Sequence, residues 1–158
     1  MKKNRISNNW ISKQRRDIYV RRSKVDGYRS RAAYKLIEID EKFKIFKNGI
    51  SVIDLGAAPG SWSQYLSKKI KNSKIVSIDL KKMEAIDNTI QILGDFTEEK
   101  NQSKIKDFFK SNVDVVLSDM AVNTTGNKNI DSIYTGELCM EAMLLDRKST
   151  RLNSSHSE

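Results

Sequence analysis

The sequence predicts an α/β domain built on a doubly wound, mostly parallel sheet, and three observations support that class. Short apolar runs recur at Ile50–Leu55, Lys74–Leu80, Thr89–Leu93 and Val113–Asp119, each with an aspartate at or just past its end. Segments with helical spacing separate most of these runs. The first run leads through a turn of small residues, Gly56-Ala57-Ala58-Pro59-Gly60, into a helix. Runs this short and apolar suit parallel strands buried on both faces, and alternation with helices is how such sheets are wound.

Taken in order, residues 1–28 show no clean period and form a basic arm, irregular or partly helical. From Ser30, the expected N-cap, a helix carries Ala32, Leu36, Ile39 and Phe43 on one face and ends at the Asn48-Gly49 turn. After the first strand and its turn, a helix from Ser61 to about Lys71 has Trp62, Leu66 and Ile70 as its apolar stripe. The connection between the second and third strands is too short for a long helix. Thr97 is expected to cap the next helix, with Glu98 and Glu99 in its positively polarised first turn and Ile105, Phe108 and Phe109 facing the core. Beyond the fourth strand lie a polar loop at 121–129 and a helix opened by Asp131 that carries Tyr134, Leu138, Ala142 and Leu145.

The charge is concentrated in one place. Residues 1–35 hold twelve Lys or Arg against Asp17 and Asp26, a net +10, whereas the whole chain of 158 residues is +9. With Trp10, Tyr19 and Tyr28 interleaved, such an arm suits a phosphate backbone with bases to stack on; the alternative is a solvated tail. No apolar run is long enough to cross a membrane and no apolar segment follows the basic start, so a cytoplasmic protein is expected. A single cysteine, Cys139, excludes an internal disulfide, and with one histidine, His156, it forms no metal-ligand cluster. No metal is implied.

In a sheet of this class ligands bind outside the carboxyl ends of the strands. Asp54, Asp79, Asp95 and Asp119 stand there, so four carboxylates are expected along one edge. They repel a pyrophosphate but suit a ligand with a ribose diol, an ammonium and a sulfonium, the groups of S-adenosyl-L-methionine. Asp79, 19 residues after Gly60, would accept from the ribose hydroxyls, Asp95 would hold the adenine amino group and Phe96 would pack on the ring. A dinucleotide is the rival ligand. Against it, Ala58 stands where GxGxxG has its second glycine, and Pro59 has no N–H for a phosphate. The remaining alternative is that the acids are caps and solubilising charges.

The blocks RSRAAYKL (Arg29 to Leu36), DLGAAPGSWSQYL (Asp54 to Leu66), IDL (Ile78 to Leu80), GDF (Gly94 to Phe96) and SDMAVN (Ser118 to Asn123) follow one another in a familiar order and spacing. Through them the chain resembles the FtsJ (RrmJ/RlmE) family of ribosomal RNA 2′-O-methyltransferases over most of residues 19–145. The resemblance implies a Rossmann-like S-adenosylmethionine-dependent methyltransferase fold and methylation of a ribose 2′-hydroxyl, expected on a uridine, in 23S rRNA of the large ribosomal subunit. It implies that Gly60, Trp62, Asp79, Asp95 and Asp119 surround the methyl donor. It also implies that Lys35 and Asp119 are catalytic, together with a second lysine and a glutamate from segments downstream of residue 145. Ser61 replaces a usual glycine and Val122 a usual proline. From its residues alone, Lys35 reads rather as one more phosphate contact of the arm.

Residues 146–158 have no apolar period, and RKSTRLNSSH reads like a sequencing adapter translated in frame; a genuine polar tail is the alternative. The organisation expected is therefore an arm (1–28), an incomplete methyltransferase domain (29–145) with its later strands missing, and a non-native tail. Such a chain is expected to be inactive, a monomer, and a partner of ribosomal RNA or the large ribosomal subunit without metal or membrane. A non-catalytic RNA-binding module that keeps a nucleoside pocket, or a 2′-O-methyltransferase of another RNA, are the other functions the sequence allows.

Overall fold

The strand Ser51–Leu55 is buried at every position because it has a neighbour on each edge and helices over both faces. The computed structural model describes residues 18–110 and 113–119. Its helices are α1 (Ile18–Val25), α2 (Ala32–Phe43), α3 (Ser61–Lys69) and α4 (Glu99–Phe109). The strands are β1 (Ser51–Leu55), β2 (Lys74–Asp79), β3 (Thr89–Leu93) and β4 (Val115–Ser118). They form one sheet in the order β3-β2-β1-β4, all neighbours parallel, with Val52 opposite both Ile75 and Val115. Strand order therefore reverses between β1 and β4, and the crevice opened by such a reversal is where sheets of this class take their ligands.

Alternation along β1 and β2 sends side chains into two cores. Ile53, Leu55, Val76 and Ile78 pack with Phe96, Ile105 and Phe109 under α4. On the other face Val52 and Ile75 meet Leu36, Trp62, Leu66 and Ile70 under α2 and α3. Each such side chain, fully buried, contributes about 1.5–3 kcal/mol, so both helical layers are needed to hold the sheet. The doubly wound parallel sheet expected from the sequence is the one observed.

Several boundaries differ from expectation. Helix α2 stops at Phe43, before Asn48-Gly49, because Lys44 adopts a left-handed conformation and returns its N–H to the Asp40 carbonyl. Its core face is Ala33, Tyr34, Leu36 and Asp40, and the expected Phe43 is 61% exposed. Ser30 does accept the Ala32 N–H through Oγ, at 3.2 Å, although Arg31 occupies the cap position. Thr97 does not cap α4. Its N–H and hydroxyl both donate to Asp95 Oδ1, and Glu98 holds the cap position. Helix α3 ends at Lys69, yet Ile70 still reaches the core from an extended backbone. The expected loop at 121–129, the helix from Asp131 and the tail 146–158 lie outside the described residues.

Asp40 is a charge in a core position. It is 2% exposed; Oδ1 accepts the Phe46 N–H at 3.1 Å, and Oδ2 accepts the Tyr65 hydroxyl at 2.8 Å beside Lys69 Nζ at 3.3 Å. Burial alone would raise its pKa, but these hydrogen bonds and the Lys69 charge outweigh it and hold the carboxyl below its ordinary value. A depressed pKa contributes stability above the unfolded-state value and loses it as pH falls through the folded one. Asp40→Ala strands the Phe46 and Tyr65 donors and should cost about 3 kcal/mol in a urea melt. Asp40→Asn, which keeps an acceptor, should cost clearly less.

Candidate active site

The turn after β1 is closed on itself. Gly56 and Ala57 donate their N–H groups to the Ile78 carbonyl, Gly60 donates to Ala57, and Ala58 donates to Asp79 Oδ2 at 2.9 Å. Pro59, joined to Ala58 by a cis peptide, has no N–H. Every backbone position from 56 to 60 thus has its donor committed within the protein or has none. Any side chain at Gly60 would be strained in this geometry. Its φ is +100°, and a Cβ there would lie 2.8 Å from both Arg29 Nη1 and Ile86 Cδ1.

The acids follow the strand order. Along the carboxyl edge of the sheet come Asp95 after β3, Asp79 ending β2, the glycine turn after β1, and Asp119 after β4. At about 4.8 Å per strand this row spans about 14 Å. Asp79 braces two loops, accepting from Ala58 through Oδ2 and from the Lys81 N–H through Oδ1 at 2.7 Å. Asp95 is fixed by Thr97 through Oδ1, and its carbonyl accepts from Asn101 Nδ2 at 2.7 Å.

Asp54 does not belong to that open row. It is 1% exposed, and its Oδ2 accepts the Ser63 hydroxyl at 2.6 Å, with Ser77 Oγ 2.6 Å from the same hydroxyl. Burial pushes its pKa up to about 6 against the pull of Ser63, and the Asp119 and Asp79 charges add to the rise. A folded-state pKa above the ordinary 3.8 means that stability is greatest with the proton bound, below the unfolded pKa, and falls as pH climbs toward 6. Asp54→Asn, which has no proton to lose, should therefore gain stability relative to the parent as pH rises. The difference between the two, from urea melts, should grow by about 2–3 kcal/mol between pH 4 and pH 6.5 and then level off.

Lys35 and Asp119, 84 positions apart, are brought together as an ion pair between Nζ and Oδ1. Lys35 Nζ also lies over the Trp62 ring, 5.7 Å from its centroid, and Trp62 is itself fixed by its indole N–H to the Ala32 carbonyl at 2.7 Å. With side chains 60% and 42% exposed, the pair adds only about 0–1 kcal/mol to stability. It stands where two hollows meet. A small one of about 60 Å³ is lined by the glycine turn, Asp54 and Trp62, and a cleft of about 650 Å³ by Tyr19, Tyr28, Tyr34, Lys24 and Lys35. Ser30, Ala32 and Asp119 line both. Neither hollow includes Asp79 or Asp95, which lie further along the edge.

Three partnerships were not foreseen from the sequence. Ser61, at the usual-glycine position, places its hydroxyl 2.7 Å from that of Ser30. Gln64 accepts the Arg29 N–H through Oε1 and donates through Nε2 to the Gly27 carbonyl. Arg29 turns inward onto three carbonyls and is not a free cation of the arm. The only signal for any of them was that the Arg29–Leu36 block and the Asp54–Leu66 block both stood out. Among the described residues there is no cluster of three His, Cys, Asp or Glu able to hold a metal, and no helix long and apolar enough to cross a membrane.

A parallel sheet reversing at β1/β4, with a glycine turn and a row of acids at its carboxyl edge, defines the class of Rossmann-like α/β domains. Within that class the chain belongs to the FtsJ-like methyltransferase family, whose profile matches residues 28–155. It is 77% identical over 143 residues to ribosomal RNA large subunit methyltransferase E of Pelagibacter ubique, covering 90% of this chain and 70% of the relative. To the protein of the same name from Rickettsia akari it is 48% identical over 142 residues, covering 86% of this chain and 63% of the relative. The fold resembles the crystal structure of a Plasmodium falciparum protein described as a ribosomal RNA methyltransferase. That match has a TM-score of 0.68 and 38% identity, and covers 73% of this chain and 69% of the other.

Proposed function

We propose that the protein transfers a methyl group from S-adenosylmethionine to a ribose 2′-hydroxyl of large-subunit ribosomal RNA. The observation that carries the reading is the turn 56–60, with no N–H left for a phosphate, set in a row of carboxylates. A pyrophosphate would find repulsion and no donors there; a ligand with a diol, an amine and a sulfonium finds acceptors. The order Asp95, Asp79, turn, Asp119 matches adenine, ribose, methionine chain and departing methyl, over a length of about 14 Å.

When bound, the donor supplies an electrophilic methyl on its sulfonium. Asp79 and Asp95 hold its nucleoside end. The rRNA ribose would enter from the larger cleft, whose lysines and tyrosines suit a phosphate backbone and its bases. Lys35 Nζ would donate to the 2′-oxygen and favour the negative charge that grows there, while Asp119 keeps the ammonium in place. Asp119 also takes up the hydroxyl proton as the oxygen gains the methyl and the spent donor leaves as a neutral thioether, the proton then passing from the half-exposed carboxylate to solvent. Trp62 holds the lysine from beneath through its ring face. Calorimetry with S-adenosylmethionine and NAD is the direct test of the pocket. The methyl donor should bind and NAD should not; tighter NAD binding, or no donor binding, would remove the reading.

A further inference from the structure

We infer that Arg29 is a positioning residue of the donor pocket, a clamp that sets the distance between its two walls, and not a phosphate contact of the basic arm. The inference rests on the donor reading above and adds to it a residue that acts through the loops it joins. Arg29 Nη1 donates to the Pro59 carbonyl and to the Glu84 carbonyl, both at 3.0 Å, and Nη2 donates to the Ala85 carbonyl at 2.8 Å. One guanidinium thus ties the turn after β1 to the loop after β2, the same two loops that Asp79 braces, from a position on the wall of the larger cleft. Three of its five N–H donors are committed to carbonyls.

The surroundings are built around this group. The Arg29 backbone is anchored separately, its N–H donating to Gln64 Oε1 at 3.1 Å, while Gln64 Nε2 holds the Gly27 carbonyl at 2.8 Å. Gly60 lacks a side chain where Arg29 Nη1 passes, with Ile86 Cδ1 equally close. Gln91 Nε2 donates to the same Glu84 carbonyl at 2.8 Å, which fixes the far loop to β3. Only a planar fork with donors in two directions meets three carbonyls on two loops. A lysine keeps the charge but is a point donor on a flexible stem.

The experiment compares the parent chain with Arg29→Ala, Arg29→Lys and a neighbouring control, Arg31→Ala. Calorimetry with S-adenosylmethionine should show about tenfold or weaker binding for both Arg29 variants, the loss expected when a charge-assisted cluster is removed. Guanidinium ion at sub-denaturing concentration should restore donor affinity to Arg29→Ala and leave Arg31→Ala and the parent unchanged. Amide exchange at residues 56–60 and 83–88 should quicken in Arg29→Ala while the thermal midpoint moves little. Parent-like affinity in Arg29→Ala, or full rescue by Arg29→Lys, would overturn the clamp. Failure of the parent to bind the donor would strike the functional reading alone, because the exchange measurement judges the clamp without ligand.

Discussion

Lys35→Met, in the chain extended to the length of its relatives, should lower methyl transfer about 10²–10³-fold, the range lost when one positioned donor to a developing oxyanion is removed. The variant should fold normally, since the Lys35–Asp119 pair is exposed on both sides and adds little to stability. Donor affinity should hold as well, because Lys35 faces the larger cleft and not the glycine turn. RNA affinity separates the two roles open to this residue. A phosphate contact would lose binding and reduce the salt dependence by about one counterion; a group acting on the 2′-oxygen would lose turnover at unchanged affinity. Single-turnover rates at saturating RNA, with filter binding across a salt series, give both quantities.

Asp79→Ala should remove measurable S-adenosylmethionine binding. The carboxylate has two tasks: its oxygens accept from Ala58 and Lys81, bracing the loops after β1 and β2, and their remaining lone pairs are the acceptors proposed for the ribose diol. Losing the acceptors of a bidentate diol contact and the brace together should weaken binding by at least about a hundredfold, roughly 3 kcal/mol. Asp79→Asn separates the tasks, because its amide oxygen can still accept one loop N–H. An intermediate loss is expected for it by calorimetry.

The sheet was legible because β1 and β2 are apolar on both faces, and only parallel strands between two helical layers need that. Helix ends were less so. Helices α2 and α4 both close on lysines in left-handed conformations, Lys44 and Lys110, where no glycine marks the stop. The acids were read correctly as strand-end residues, yet Asp54 turned out to be enclosed. A position within a strand does not say whether the helix above covers it, and Ser63 on α3 decided the matter. Arg29 was counted with the arm for the same reason: charge shows in a sequence, while the three carbonyls that capture it come from residues 30 to 56 positions away. Trp62 was placed with the donor, and it lines the small hollow while its ring also supports Lys35.

The central claim is that a donor site on the glycine turn meets an acceptor cleft at Lys35 and Asp119. Its most direct measurement is transfer of a labelled methyl from S-adenosylmethionine to undermethylated large-subunit RNA by the chain extended to the length of its relatives, followed by digestion to nucleosides. The label should appear in a single 2′-O-methylated nucleoside, and its rate of appearance should fall at least about a hundredfold with Lys35→Met. Label on a base, or no transfer by a protein that binds both donor and RNA, would contradict the account.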